Sequence, residues 1–276
     1  MPQSTPLPAD TTLWIANARV LTPDTDWHHP SVGDIAVRND TIIGVAPAYG
    51  LRPGQVPPET SDARGHLVLP GFVNAHYHSH DVLAKGTLEQ VSLEQWRLYA
   101  LPAQYPPRSK EELRARTMLG ALECLRSGMT TVQDMLTLYP FDPEHLDTVI
   151  QAYEDVGIRV VFALQYGDRK GLDTVPFWKD VFPPEYHHLL SSAAEPEKKF
   201  DLLDYFEQNC LKGPAHARRH WALGPSSPER CTTGLMARTM DMARRYDLPV
   251  YSHIYESKGM ALTARQELGQ YGGSLI

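Results

Sequence analysis

Three imidazoles stand at alternate positions in His76-Tyr77-His78-Ser79-His80. They follow an apolar run, Leu67 to Ala75, that reads as a β-strand. On a strand residues i and i+2 point the same way, so His76 and His78 can offer two ring nitrogens to one ion. Spacing alone carries little weight in a chain with 12 histidines among 276 residues, because rings at a strand end also hydrogen-bond locally. A second group, His253-Ile254-Tyr255-Glu256, stands at the end of another expected strand, Pro249 to His253. A third imidazole there would complete a facial set of ligands with one coordination position left open, and the carboxylate three residues on could take a proton from water. Taken singly, His253 reads as a half-buried histidine and Glu256 as a carboxylate drawn to a helix N-terminus. Their joint occurrence, each at a strand end, shifts the balance toward a metal-bound water of the kind zinc catalysis uses.

The elements that must hold these groups apart in sequence and together in space alternate regularly. Ser109 to Glu112 is a capping box, Ala115, Met118, Leu122 and Leu125 give one face of a helix, and Gly128 ends it. A strand follows over Met129 to Leu136. Asp142 and Pro143 open the next helix as N-cap and N1, Leu146, Val149, Ile150 and Tyr153 form its buried face, and Gly157 closes it. Ile158 to Leu164 is then an apolar strand of the kind buried on both faces. The cycle continues with a helix around Phe200 to Leu211, a strand His220 to Leu223, a helix Thr232 to Tyr246 and the strand Pro249 to His253. Strand alternating with helix predicts a parallel α/β sheet, doubly wound or closed into an eight-stranded barrel. No glycine-rich phosphate loop follows any strand, which disfavours a nucleotide-binding sheet. Ahead of this region, residues 1–66 read as short strands, including a hairpin of Asp34 to Arg38 and Thr41 to Val45 joined at Asn39-Asp40. Gly50 to Arg64, with three prolines, reads as a loop.

A net charge of −7 without a basic block disfavours a nucleic-acid partner. No run approaches the length of a membrane span, and the start lacks the apolar stretch of a signal peptide. Three widely spaced cysteines, Cys124, Cys210 and Cys231, fit a reduced cytoplasmic protein better than a disulfide framework.

The run Leu69-Pro70-Gly71-Phe72-Val73-Asn74-Ala75-His76-Tyr77-His78 resembles the first barrel strand of the amidohydrolase superfamily. The continuation at Lys85-Gly86 and Leu93 to Trp96 is similar to the branch containing cytosine and guanine deaminases and triazine hydrolases, with Lys85 standing where that branch usually has arginine. Gly128 to Asp134 resembles its second strand and His253-x-x-Glu256 its fifth. The resemblance implies a (β/α)8 barrel over residues 67–276, incomplete after about five strand-helix units, behind part of a small β-sandwich over residues 1–66. It implies that His76, His78 and His253 bind one divalent metal, zinc or iron, that Glu256 shuttles the proton, and that Gln165 presents an amide to the substrate ring. A bridging lysine of two-metal members has no counterpart in His220 to Ser227, so one metal is expected. The sixth-strand histidine and eighth-strand aspartate of the family have no assignable counterparts before Ile276. The implied reaction is deamination, or another hydrolysis of a C–N or C–Cl bond, of a small nitrogen heterocycle by a metal-activated water, in a protein that is commonly oligomeric. A truncated fragment with a partial metal site and no turnover is the alternative. Tyr166, Trp178 and the segment Gly167 to Pro196 could line a lid, although aromatic loop residues more commonly pack.

Overall fold

A computed structural model describes residues 5–24, 26–100, 108–169, 174–187, 201–213 and 215–269, which fall into two compact units, Met1–Gly71 and Phe72–Ile276. Among its described residues the first contains seven strands: β1 (Thr5–Pro6), β2 (Leu13–Val20), β3 (Val32–Arg38), β4 (Thr41–Ala46), β5 (Tyr49–Gly50), β6 (Glu59–Asp62) and β7 (Leu67–Val68). β3 and β4 form the expected antiparallel hairpin, with Asn39 in the left-handed conformation that such a tight turn requires. β2 pairs antiparallel with β3 and, on its other edge, parallel with β6 and β7. β6 falls inside the stretch expected to be a loop. All four of its residues are polar and exposed, so no alternation betrays the strand.

The second unit is built on a four-stranded parallel sheet in the order β11-β10-β9-β8. Its strands are β8 (Phe72–Tyr77), β9 (Met129–Leu136), β10 (Arg159–Tyr166) and β11 (Arg219–Pro225). The single strand expected over Leu67 to Ala75 is thus two strands in two units, interrupted at Pro70-Gly71, where proline has no N–H to give a ladder. Five helices of at least two turns accompany the described residues of this unit: α1 (Leu93–Ala100), α2 (Lys110–Arg126), α3 (Pro143–Val156), α4 (Thr233–Tyr246) and α5 (Lys258–Leu268). Their ends follow the local chemistry. Ser109 Oγ accepts from the Glu112 N–H at 3.2 Å, Asp142 accepts from Glu144 N–H at 2.8 Å, and Gly157 ends α3 at a φ of 81°. The helix expected over Phe200 to Leu211 begins at Leu202 and widens to π geometry over Phe206–Cys210.

The central strands β9 and β10 bury residues on both faces, whereas β8 is largely exposed. Val132, Leu136, Val160, Phe162, Leu164 and Leu223 pack with Leu146, Val149 and Tyr153 of α3 on one side. On the other, Met135, Ala163 and Ala222, which are neighbours in register, form a second cluster of their own. Gly224 permits the close approach of β11 to β10, since a Cβ there would lie 2.5 Å from the Leu164 carbonyl oxygen. The expected strand Pro249 to His253 takes a reduced form. It is a single parallel bridge, Leu223 to Val250, extended by hydrogen bonds from Leu223 N to Pro249 O, Tyr251 N to Leu223 O and His253 N to Ser226 O. That ladder carries His253 to the same end of the sheet as the ends of β8, β9, β10 and β11.

Cys124, Cys210 and Cys231 are free and buried. Among the described residues no helix is long and apolar enough to cross a membrane.

Candidate metal centre

His76, on β8, and His78, just past its end, meet His253 at the strand ends, where one nitrogen of each ring lies within 4.8 Å of the others. The ring centroids of His76 stand 4.8 Å from His78 and 5.0 Å from His253, both edge-on, while His78 and His253 are parallel at 5.2 Å. Two backbone carbonyls set the chemistry of these rings. His78 Nδ1–H donates to Met135 O at 2.9 Å and His253 Nδ1–H donates to Ser226 O at 2.7 Å. A carbonyl oxygen can only accept, so each Nδ1 carries a proton, and in the neutral form each ring presents a lone pair at Nε2. Those two Nε2 atoms face one another at 3.1 Å. Two lone pairs so placed repel unless a cation lies between them. The spacing matches the edge of a tetrahedral zinc site, about 3.3 Å for Zn–N bonds near 2.05 Å. The donor set therefore fits a divalent ion. Burial, then the neighbouring His253, pushes the His78 ring down to about 4, and the same two causes lower His76.

Glu256 is exposed, and its carboxylate lies close enough to His76 to oppose that lowering. Between His253 and Glu256, Tyr255 takes a φ of 58°, a left-handed turn that a bulky residue adopts only where its surroundings enforce it. Ser257 caps α5, accepting from Met260 N–H at 3.1 Å. The helix-start role that Glu256 offers from sequence is thus taken by its neighbour. Ser257 also donates to Glu94 at 2.6 Å.

Gln165, at the end of β10, has both ends of its amide engaged. Oε1 accepts from the Thr137 hydroxyl at 2.5 Å and Nε2 donates to Ser226 Oγ at 2.8 Å. Tyr166 bonds Thr239 of α4 at 2.9 Å and Trp178 is buried. Part of the segment expected as a lid, residues 170–173 and 188–196, lies outside the described residues.

His80 does not join the trio, because the strand ends at Tyr77 and Ser79–Ala84 form a 3-10 turn that breaks the alternation. Its Nδ1 accepts from Thr137 N–H at 3.3 Å and its Nε2 faces Asp81 Oδ1 at 3.4 Å. His78, His80 and Asp81 lie within 4.8 Å of one another, but the nitrogens of His80 are already occupied and those of His78 belong to the first group. Beneath the turn, the buried Asp134 carboxylate accepts from Ser79 N–H at 3.0 Å and from the Tyr153 hydroxyl at 2.8 Å, anchoring the segment between His78 and His80.

Burial, opposed by Arg116, raises Asp81 to about 6. A carboxyl raised on folding binds more protons in the native than in the unfolded chain, so its cost is absent below about pH 4 and full above about pH 6. Asp81→Asn keeps an oxygen for His80 and removes that cost. With a side chain only 26% exposed and about 1.4 kcal/mol per pKa unit, we expect the variant to be more stable by about 2 kcal/mol at pH 7 and unchanged at pH 4. Urea denaturation at the two pH values measures this, and equal destabilisation at both would contradict it.

The profile of the amidohydrolase family matches residues 67–270. A 5-methylthioadenosine/S-adenosylhomocysteine deaminase of Syntrophobacter fumaroxidans is 28% identical over 262 residues, covering 94% of this chain and 52% of that protein. A 5'-deoxyadenosine deaminase of Methanococcus vannielii is 28% identical over 199 residues, covering 72% of this chain and 40% of its own. The chain thus spans about half the length of the relatives it matches. Among solved structures, an atrazine chlorohydrolase of Arthrobacter aurescens complexed with zinc superposes with a TM-score of 0.71 at 24% identity, covering 95% of this chain and 57% of that one. At that identity the likeness establishes a shared fold.

Proposed function

The chain belongs to the amidohydrolase family, and from that premise we propose that it serves a metal-dependent hydrolase that deaminates an amino-substituted nitrogen heterocycle of the purine or pyrimidine type. His76, His78 and His253 hold one divalent ion, zinc in preference to iron, and Glu256 moves the proton. The observation that carries this reading is the 3.1 Å approach of two imidazole Nε2 atoms whose opposite nitrogens are pinned to carbonyls. In this reading the second unit carries about five of the eight strand-helix units of a barrel, and the first unit belongs to a small β-sandwich. The buried, unpaired thiols suit a cytoplasmic setting.

A bound divalent metal supplies Lewis acidity and makes a nearby water more acidic. The residues of the chain do the rest. His78 and His253 present Nε2 because their Nδ1 protons are committed to carbonyls, which fixes tautomer and ring orientation. Glu256 accepts a proton from the attacking water and returns it to the ring or the departing nitrogen, so that R–NH2 and water become the keto heterocycle and ammonia. Hydrolysis of a C–Cl bond is the second reading, favoured by the fold shared with the chlorohydrolase. The named sequence relatives that cover most of this chain favour the C–N bond.

Elemental analysis of the purified protein is expected to give about one zinc per chain, lost to a strong chelator. A panel of aminopurines, aminopyrimidines and chlorotriazines, scored for ammonia against chloride, is expected to yield ammonia. Absence of bound metal in excess zinc would sink the reading, and chloride without ammonia would replace it with the second.

A further inference from the structure

We propose that Gln165 is a positioning residue of the metal centre, an amide strut that sets the distance between the two carbonyls that orient His78 and His253; the inference rests on reading those histidines as metal ligands. The carbonyls come from strand ends that are not neighbours. Met135 lies on β9 and Ser226 just beyond β11, and β10 runs between them. Nothing in the ladder ties one end to the other directly. Gln165, on β10, spans the gap through side chains alone, accepting from Thr137 at 2.5 Å on the β9 side and donating to Ser226 Oγ at 2.8 Å on the β11 side.

The bonds form one continuous bracket. It runs from the His78 ring to Met135 O, along the backbone to Thr137, across the Gln165 amide to Ser226, and from Ser226 O to the His253 ring. Its two free ends are the Nε2 atoms 3.1 Å apart. A primary amide suits the place because it accepts at one end and donates at the other across a rigid plane. Thr137 is further held by His80, whose Nδ1 accepts its backbone N–H at 3.3 Å. One restraint is independent of the strut, since Ser226 N–H donates to Tyr166 O at 2.7 Å. Loss of the strut therefore loosens the bracket without collapsing it. Groups that orient metal ligands from behind contribute about 10- to 100-fold in metal affinity.

The test is zinc affinity by chelator competition, together with the visible spectrum of the cobalt-loaded protein, for wild type, Gln165→Leu, Gln165→Glu and Thr137→Val. We expect Gln165→Leu and Thr137→Val to bind zinc about 10- to 100-fold more weakly, with altered cobalt bands. Gln165→Glu should restore near wild-type values, because a carboxylate can accept from both hydroxyls. Circular dichroism of the metal-free proteins separates a loosened site from a lost fold, and Thr137→Val reads the strut while Gln165 is intact. Wild-type affinity and spectrum in both Gln165→Leu and Thr137→Val would overturn the proposal, and a raised KM alone in Gln165→Leu would assign the amide to the substrate. If the wild-type chain fails to bind zinc, the underlying ligand reading falls as well.

Discussion

His253→Ala is expected to purify without its metal and to lose about three orders of magnitude or more in kcat/KM. Of the three imidazoles, two come from one strand and its immediate continuation, so they define a line on which an ion could sit at many places. His253 supplies the nitrogen that faces His78 at 3.1 Å and closes the set. Removing it leaves two ligands, too few for the three-protein-ligand sites that zinc enzymes use. The Lewis acidity of a bound metal contributes several kcal/mol to stabilising charge in the transition state. About 4 kcal/mol of that, at about 1.4 kcal/mol per tenfold, gives about 10³ in rate. The fold should survive, because the His253 side chain is half-buried at the end of the sheet and takes no part in the apolar clusters. Metal content, melting temperature and steady-state rates measured together decide the matter. His66→Ala, an exposed histidine of the first unit, serves as the control and should change none of them. A His253→Ala protein that keeps a full equivalent of zinc and a rate within tenfold of wild type would remove His253 from the site.

The convergence of His76, His78 and His253 was legible because its signal is local. A period of two on an apolar strand puts His76 and His78 on one side, and the strand-end position of His253 follows from the alternation of strands and helices. The same rule fails at His80, since it holds only while the backbone stays extended, and a 3-10 turn begins at Ser79. The parts that orient the rings could not be read. Met135 and Ser226 act through their carbonyl oxygens, which every residue possesses, so their identity carries no mark of the role. Thr137 and Ser226 also act through hydroxyls that only the juxtaposition of three strands brings to Gln165. β6 escaped for a related reason. Its Glu-Thr-Ser-Asp sequence is held by a ladder to β2 and not by burial of its side chains, and hydrophobic period is silent about ladders. Asp134 is a carboxylate buried within β9, and it is paired with Tyr153 as burial demands.

Glu256→Gln is expected to keep the metal and the fold while lowering kcat by about 10²- to 10⁴-fold, the range for loss of a positioned general base. The substitution preserves size and an acceptor oxygen but removes the site that takes a proton from water. A helix-start role would predict a different result. Glu256 would then act only through its charge at the N-terminus of α5, an effect worth about 0.3–1 kcal/mol in stability and close to nothing in rate. The local geometry favours the first account. Ser257 performs the capping, the left-handed Tyr255 interrupts the chain between His253 and Glu256, and the Glu256 carboxylate is felt at His76. The two accounts part in the rate. Steady-state rates at matched zinc occupancy measure this. A Glu256→Gln protein with near-wild-type kcat would place the proton transfer on another group.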